Sequence, residues 1–221
     1  MTEKLPTIAL LGGTGKEGPG LAMRWASVGY PIIIGSRQRE KAQETAALLN
    51  EKLSITSVIG MENSQAARMA DICVLTVVHS AHASALSGLK EALQGKILVD
   101  ATARVDFRNP KPPRPPSAAR YAQKMLGPGV RVVAAFQNVP AHALRKNLGA
   151  RIDAEVLVCA DEPDAALVVM QLAEAGGMRA YFAGDLDNAV VVEGLSSILI
   201  SLNQYYQVKT ASIGITGISQ E

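Results

Sequence analysis

Residues 8–37, IALLGGTGKEGPGLAMRWASVGYPIIIGSR, constrain this chain more than any other stretch. An apolar run, Ile8 to Leu11, enters a glycine-rich turn. A helical stretch follows, and a second apolar run, Ile32 to Ile34, ends at Gly35-Ser36-Arg37. Gly13, Gly15 and Gly18 fit the spacing that admits a dinucleotide. In that arrangement the first glycine allows the tight turn, the second lets a pyrophosphate approach the backbone, and the third lets helix pack on strand. The phosphates rest on free N–H groups at the positive end of the new helix. Glycine turns also join strands to helices with no ligand, but the strand before and after this one at the right distances favours the nucleotide.

The end of the second strand selects the nucleotide. NAD sites place a carboxylate there for the ribose 2′-hydroxyl, which would repel a 2′-phosphate. This chain has Ser36 and Arg37 instead, with Arg39 and Lys41 close behind and no acid before Glu40. A guanidinium forks onto phosphate oxygens, a hydroxyl donates, and an ammonium adds a point charge. A solvated basic helix start is the plainer reading. The position beside the adenosine ribose favours NADP(H).

The rest of the chain alternates in the same way. Strands are predicted at 6–11, 31–35, 55–59, 72–77, 96–100, 130–135, 155–159 and 178–182. Helices are predicted near 18–29, 38–52, 63–69, 80–93, 117–126, 141–147 and 163–175. Apolar runs without polar alternation suit parallel strands covered on both faces. The expected fold is α/β: a doubly wound, mostly parallel Rossmann sheet with a small C-terminal helical segment. Residues 1–185 would form the NADP-binding domain, and 186–221 a helix and tail closing the active site. In LDNAVVVEGLSSILISLNQYY (186–206) apolar residues take nearly every face of the first half, which suggests deep burial or a subunit interface. Asp187 or Asn188 is the expected N-cap.

Residues 104–117, RVDFRNPKPPRPPS, carry five prolines and four basic residues and can be neither helix nor inner strand. This loop either covers the cofactor or is a surface excursion. The net charge of +2, without a long basic run, argues against nucleic acid. No apolar segment reaches membrane-spanning length and the N-terminus lacks a signal peptide, so a cytoplasmic enzyme is expected. Cys73 and Cys159 lie in apolar runs and read as buried, reduced thiols. No Cys, His and carboxylate spacing suggests a metal site. His79 and His82, after the fourth strand, either contact cofactor or substrate or are ordinary polar helix-start residues, and the latter is favoured.

Along essentially its whole length the chain resembles the NADP-dependent reductases of coenzyme F420. The landmarks are GGTGKEGPGLAMRWA (12–26), GSRQREKA (35–42), LTV (75–77) and SAARYAQ (117–123), then VVAAFQNVPA (132–141) and EVLVCADEPDA (155–165). RAYFAGDLDNAVVVEGLSSILISLN (179–203) and the final IGITGI complete them. The first two are shared by many NADP-binding Rossmann proteins; AFQNVPA, the long helix and the glycine-bearing tail are more specific. The resemblance implies that Thr14, Gly15, Lys16 and Glu17 line the pyrophosphate turn, and that Ser36, Arg37 and Lys41 hold the 2′-phosphate. Val77, Ala81 and Ala103 would border ribose and nicotinamide, and Ala141 would complete the pocket. Gln137, Asn138, Val139 and Pro140 would form the wall on which nicotinamide and deazaflavin stack, with Ile213 closing the site. Many members have a Pro-aromatic pair where this chain has Val78-His79, and some have His at the position of Gln137.

The implied reaction moves a hydride between nicotinamide and deazaflavin, which asks for stacking and exclusion of water rather than an acid–base triad. A related NADPH-dependent reductase of a flavin, a ferric complex or a small imine or keto compound is the alternative enzyme. A non-catalytic NADP sensor is the alternative of another class. The apolar helix also predicts a homodimer, without which the tail after Tyr206 would not be expected to order.

Overall fold

The computed structural model describes residues 4–218. The last three residues of the predicted closing segment 186–221 lie outside them. Strands and helices alternate: β1 Ile8–Leu11, α1 Gly18–Ser27, β2 Ile32–Ser36, α2 Arg39–Leu53, β3 Val58–Glu62 and α3 Asn63–Met69. Next come β4 Ile72–Leu75, α4 His79–Leu89, β5 Ile97–Asp100, α5 Ala118–Leu126, β6 Arg131–Ala134 and α6 Ala141–Leu144. The chain continues with β7 Glu155–Ala160, α7 Pro163–Ala175, β8 Arg179–Phe182 and α8 Ala189–Tyr205.

Every strand run of the sequence forms a strand. The sheet order is β3-β2-β1-β4-β5-β6-β7-β8. The chain therefore reverses direction across the sheet between β1 and β4, which is where open α/β sheets bind their ligands. Strands β1 to β6 pair in parallel. β7 runs antiparallel to β6, through Val133↔Ala160 and Ala134↔Cys159, and β8 follows β7 in parallel.

Alternating side chains of the inner strands explain the two covering layers. Ile8, Leu10, Ile32 and Ile34 pack with α1, α2 and α7, around Leu21, Trp25, Leu49 and Val169. Ala9, Leu11, Ile33, Cys73 and Leu75 face the other way, onto α3, α4, α5 and the start of α8. Each fully buried Leu or Ile contributes about 1.5–3 kcal/mol, so this two-sided burial fixes strand register. Both cysteines are free and buried, and burial pushes each thiol up to about 12.

Several local expectations change. β3 begins three residues later than the apolar run suggested. Ser54 caps α2 in a left-handed conformation, and the Asn50 carboxamide bonds both the N–H and the C=O of Val58. α6 is a single turn rather than a helix to 147. Asn188 is the residue before α8, but its side chain donates to the Ala183 carbonyl and caps nothing; Asp187 pairs with Arg120. α8 is not buried all round: Val191 and Ile198 are 65% and 56% exposed, while Val192, Ser196 and Leu199 face inward.

The proline-rich loop is fastened along α8. Ser197 Oγ donates to the Lys111 carbonyl, Gln204 Nε2 donates to the Phe107 carbonyl, and Gly194 lies against Pro112 and Pro113. The loop ends where Ser117 caps α5, its hydroxyl accepting from Arg120 N at 2.9 Å. The tail after Tyr206 orders on its own chain. Ser212 Oγ donates to the Asp153 carbonyl and Ile215 N–H to the Glu155 carboxylate.

Candidate functional site

The glycine turn is built more specifically than its pattern suggests. The left-handed residue is Gly12, at φ 72°, rather than Gly13. Gly13 is glycine for lack of room: a Cβ there would lie 2.6 Å from the Leu10 carbonyl oxygen. Its N–H donates to the carbonyls of Leu10 and Gly35, at 3.1 and 2.9 Å. A Cβ on Gly18 would meet the Gly13 Cα at 2.6 Å, which is the close packing of helix on turn. Gly15 differs from both. It is exposed, its φ is ordinary, and the nearest atom to its missing Cβ is 3.9 Å away. Nothing inside the protein requires a glycine there, so the open cradle fits a bound pyrophosphate that a side chain would obstruct.

Two residues that the sequence did not single out hold this turn. Asn63, the first residue of α3, accepts the Gly12 N–H on Oδ1 at 3.0 Å. Arg145, just after α6, donates from Nη2 to the Lys16 carbonyl at 2.7 Å. Arg24 on α1 anchors that second segment, donating to the carbonyls of Leu144, Lys146 and Ala150. Thr14 and Lys16 lie on the open turn. Glu17 immediately precedes α1 without capping it; its Oε1 is sealed away with no hydrogen-bond partner, and burial pushes the carboxyl up to about 8. A carboxyl held neutral does not repel a diphosphate.

At the end of β2, Ser36 is buried, and its Oγ accepts the Gln38 N–H at 3.2 Å. Arg37, Arg39 and Lys41 are exposed, and no ion pair is formed by them among the described residues. Three cations therefore surround the start of α2 with their charge uncommitted.

The remaining predicted residues gather at the C-terminal edge of the sheet. Val77 touches the glycine turn, its Cγ1 being 2.5 Å from where a Gly12 Cβ would stand. Ala81 and Ala103 are half-buried in the segments after β4 and β5. After β6 the chain makes a strained turn, with Phe136 at φ 75° packed edge-on to Trp25. Gln137 Nε2 donates to the Asp100 carbonyl at 2.8 Å, and Asn138 Nδ2 donates to the Glu155 carbonyl at 2.6 Å. Both amide oxygens, Gln137 Oε1 and Asn138 Oδ1, lack a partner. A buried unpaired acceptor costs about 1–3 kcal/mol, so the two amides are held in this wall at a cost in stability. Val139 is buried, Pro140 and Ala141 half-buried, and Ser196 Oγ of α8 donates to the Gln137 carbonyl at 2.7 Å.

Because β7 is antiparallel, its first residue, Glu155, comes to this same edge. Glu155 holds the tail, and Ile213 lies with Ala143, Ile152 and Arg179 around a recess of about 400 Å³. A second recess, of about 430 Å³, opens between α4, the proline-rich loop and α5, lined by His79, His82, Arg104, Ser117 and Tyr121. His82 is not an ordinary polar helix-start residue: it is 1% exposed and lies 2.6 Å from Asp100. Among the described residues no helix is long and apolar enough to cross a membrane.

The sequence profile of the NADP oxidoreductase, coenzyme F420-dependent family matches residues 7–104. The F420-dependent NADP reductase of Methanocaldococcus jannaschii is 39% identical over 226 residues, covering 96% of this chain and 98% of the relative. That of Methanothermobacter marburgensis is 38% identical, covering 96% and 99%. A solved structure of a candidate F420-dependent NADP reductase from Arthrobacter sp. FB24 superposes with a TM-score of 0.80 at 25% identity, covering 96% of this chain and all of that one. The glycine turn, the switch-point edge and near end-to-end identity to named relatives agree, and the chain belongs to the F420-dependent NADP reductase family.

Proposed function

We propose that the protein transfers a hydride between NADP(H) and the deazaflavin coenzyme F420. The observation that carries the nucleotide half is Gly15, a glycine that neither backbone nor packing demands, placed where a pyrophosphate would meet the turn. The identity of the second substrate is supported by the activity for which the relatives are named. When bound, nicotinamide C4 and deazaflavin C5 would be the two carbons between which the hydride passes.

The chain's own part is to bind, align and keep dry. Thr14, Gly15 and Lys16 line the pyrophosphate on the open turn, which Gly13 and Gly18 keep closely packed and Glu17 joins to α1, with the free N–H groups of α1 beneath it. Ser36, Arg37 and Lys41 hold the 2′-phosphate, the unpaired charges of Arg37 and Lys41 giving the preference for NADP over NAD. Val77, Ala81, Ala103 and Ala141 border ribose and nicotinamide. Gln137, Asn138, Val139 and Pro140 form the wall against which both rings stack, and Ile213 closes the site from the tail. In this division residues 1–185 bind the nucleotide and 186–221 close over it. Rings aligned in this way need no triad, since positioning alone supplies a large share of the barrier reduction.

We also propose a cytoplasmic homodimer. On α8, Val191, Ile198, Leu202 and Tyr205 recur at helical spacing and are all exposed, and a contiguous apolar stripe of this kind marks an interface. The deciding experiment is to mix protein, NADPH and oxidised F420 and follow the bleaching of the deazaflavin absorption band. Bleaching that depends on protein and on NADPH supports the reading. NADPH oxidation with FMN or a ferric chelate, and none with F420, overturns the second half of it.

A further inference from the structure

His82 and Asp100 have no part in the hydride transfer just described, yet they are placed with unusual care. His82 is 1% exposed and Asp100 is fully buried, with Nε2 2.6 Å from Oδ2. Burying two such groups costs solvation free energy that only good geometry and further hydrogen bonds offset. Asp100, the last residue of β5, has them. Its Oδ1 accepts the Thr102 N–H at 3.0 Å, and its backbone carbonyl accepts Gln137 Nε2 at 2.8 Å. The Asp100 carboxyl thus has a partner on each oxygen, Thr102 N–H on Oδ1 and the imidazole Nε2 beside Oδ2.

The pair is therefore one step from three borders of the proposed nicotinamide site. Ala81 precedes His82 in the chain, Ala103 follows Thr102, and Gln137 is bonded to Asp100 itself. On its other side His82 lines the recess of about 430 Å³, with the Tyr121 ring centroid 6.2 Å away. Without the imidazole, the Asp100 carboxyl keeps one partner. Its Oδ2, fully buried, must then turn to find another partner, and that change moves the ends of β5 and β6.

We infer that His82 is a positioning residue for hydride transfer: through Asp100 it holds the Thr102–Ala103 segment and Gln137 in register against the nicotinamide ring. This rests on the NADP reading above. A displacement of about 1 Å at a reacting centre costs on the order of a hundredfold in rate, so the effect should appear in kcat.

The test compares full-length His82→Leu, His82→Gln and Asp100→Asn with the parent protein. The readouts are kcat with NADPH and F420, NADPH Kd by fluorescence titration, and the emission spectrum of bound NADPH. For His82→Leu the expectation is a kcat loss of about tenfold to a hundredfold, with NADPH Kd changed by less than about threefold and a shifted emission spectrum. The Gln carboxamide N–H reaches the place of Nε2, so His82→Gln should restore most of kcat and the parent spectrum. A His82→Leu protein with parental kcat and spectrum, or a His82→Gln protein as impaired as His82→Leu, overturns the inference. If His82→Leu does not fold, Asp100→Asn takes its place, and normal kcat and spectrum in that variant are equally fatal. A parent protein that binds NADPH but leaves F420 unreduced removes the assigned acceptor, while the spectral contrast between Leu and Gln still decides the role of His82.

Discussion

A methyl group on Gly18 would stand 2.6 Å from the Cα of Gly13, whereas one on Gly15 would have no neighbour closer than 3.9 Å. Two glycines of one motif thus answer to different masters, the fold and the ligand. Gly18→Ala should destabilise the protein by several kcal/mol, because backbone rather than a movable side chain stands in the way. Gly15→Ala should leave the melting temperature within about 2 °C of the parent while weakening NADPH at least about tenfold, through loss of close approach to the phosphates. Thermal melts and fluorescence titration of both variants check this. A Gly15→Ala protein that binds NADPH normally would remove the dinucleotide from the turn.

Arg37 tests cofactor choice. Exposed and free of ion pairs, it is available to a 2′-phosphate. Arg37→Ala should weaken NADPH by about 1.5–3 kcal/mol, the usual worth of a hydrogen bond to a charged group. NADH, which lacks that phosphate, should bind almost as before. Equal losses for the two nucleotides in parallel titrations would show that Arg37 reads something else.

Glu17 gives a pH dependence with a definite sign. Burial raises its carboxyl from 4.5 to about 8. Between those values the folded state keeps a proton that the unfolded chain has released, so stability is highest below 4.5 and falls as pH rises toward 8. Glu17→Gln removes the titration, and with it this contribution to the fall. Urea midpoints of parent and variant should therefore diverge from about pH 5 to about pH 8, with the variant ahead at the alkaline end. Parallel curves across that range would mean that Glu17 ionises as it does in water.

Assembly is tested on the outer face of α8. Leu199 is 5% exposed and packs within its own chain, so changing it would damage the fold rather than an interface. Ile198, 56% exposed, is the proper target. Sedimentation at micromolar concentration should report a dimer for the parent and a monomer for Ile198→Asp with an unchanged circular dichroism spectrum. A parent that sediments as a monomer excludes the dimer.

Most strands were legible because they are short apolar runs, several of them closed by glycine or charge as after β1, β5 and β7, and the glycine turn because its spacing is local. Direction and side-chain pairing were not. That β7 is reversed depends on which strand it meets. A hint was available: only a one-turn helix lies between β6 and β7, too little for the usual parallel crossover. Asn63 and Arg145 reach the glycine turn across 51 and 129 residues, a separation no local pattern records. His82 was within reach of the sequence. It shares with Leu86 and Leu89 the buried face of α4, and a histidine on an apolar face needs an acceptor. The anchor of the tail was not legible, because Glu155 is an ordinary strand-start residue until β7 is turned around.

That reversal makes the molecule one-sided. With β7 turned, Glu155, the tail and α8 join the glycine turn and the strand ends of β1 to β6 along one rim of the sheet. The opposite rim, around Thr7, Pro31, Asp71 and Lys96, carries strand starts and turns. A surface, an electrode or a fused protein attached at that rim would leave the working face turned outward, whereas the same attachment through the tail would land on it.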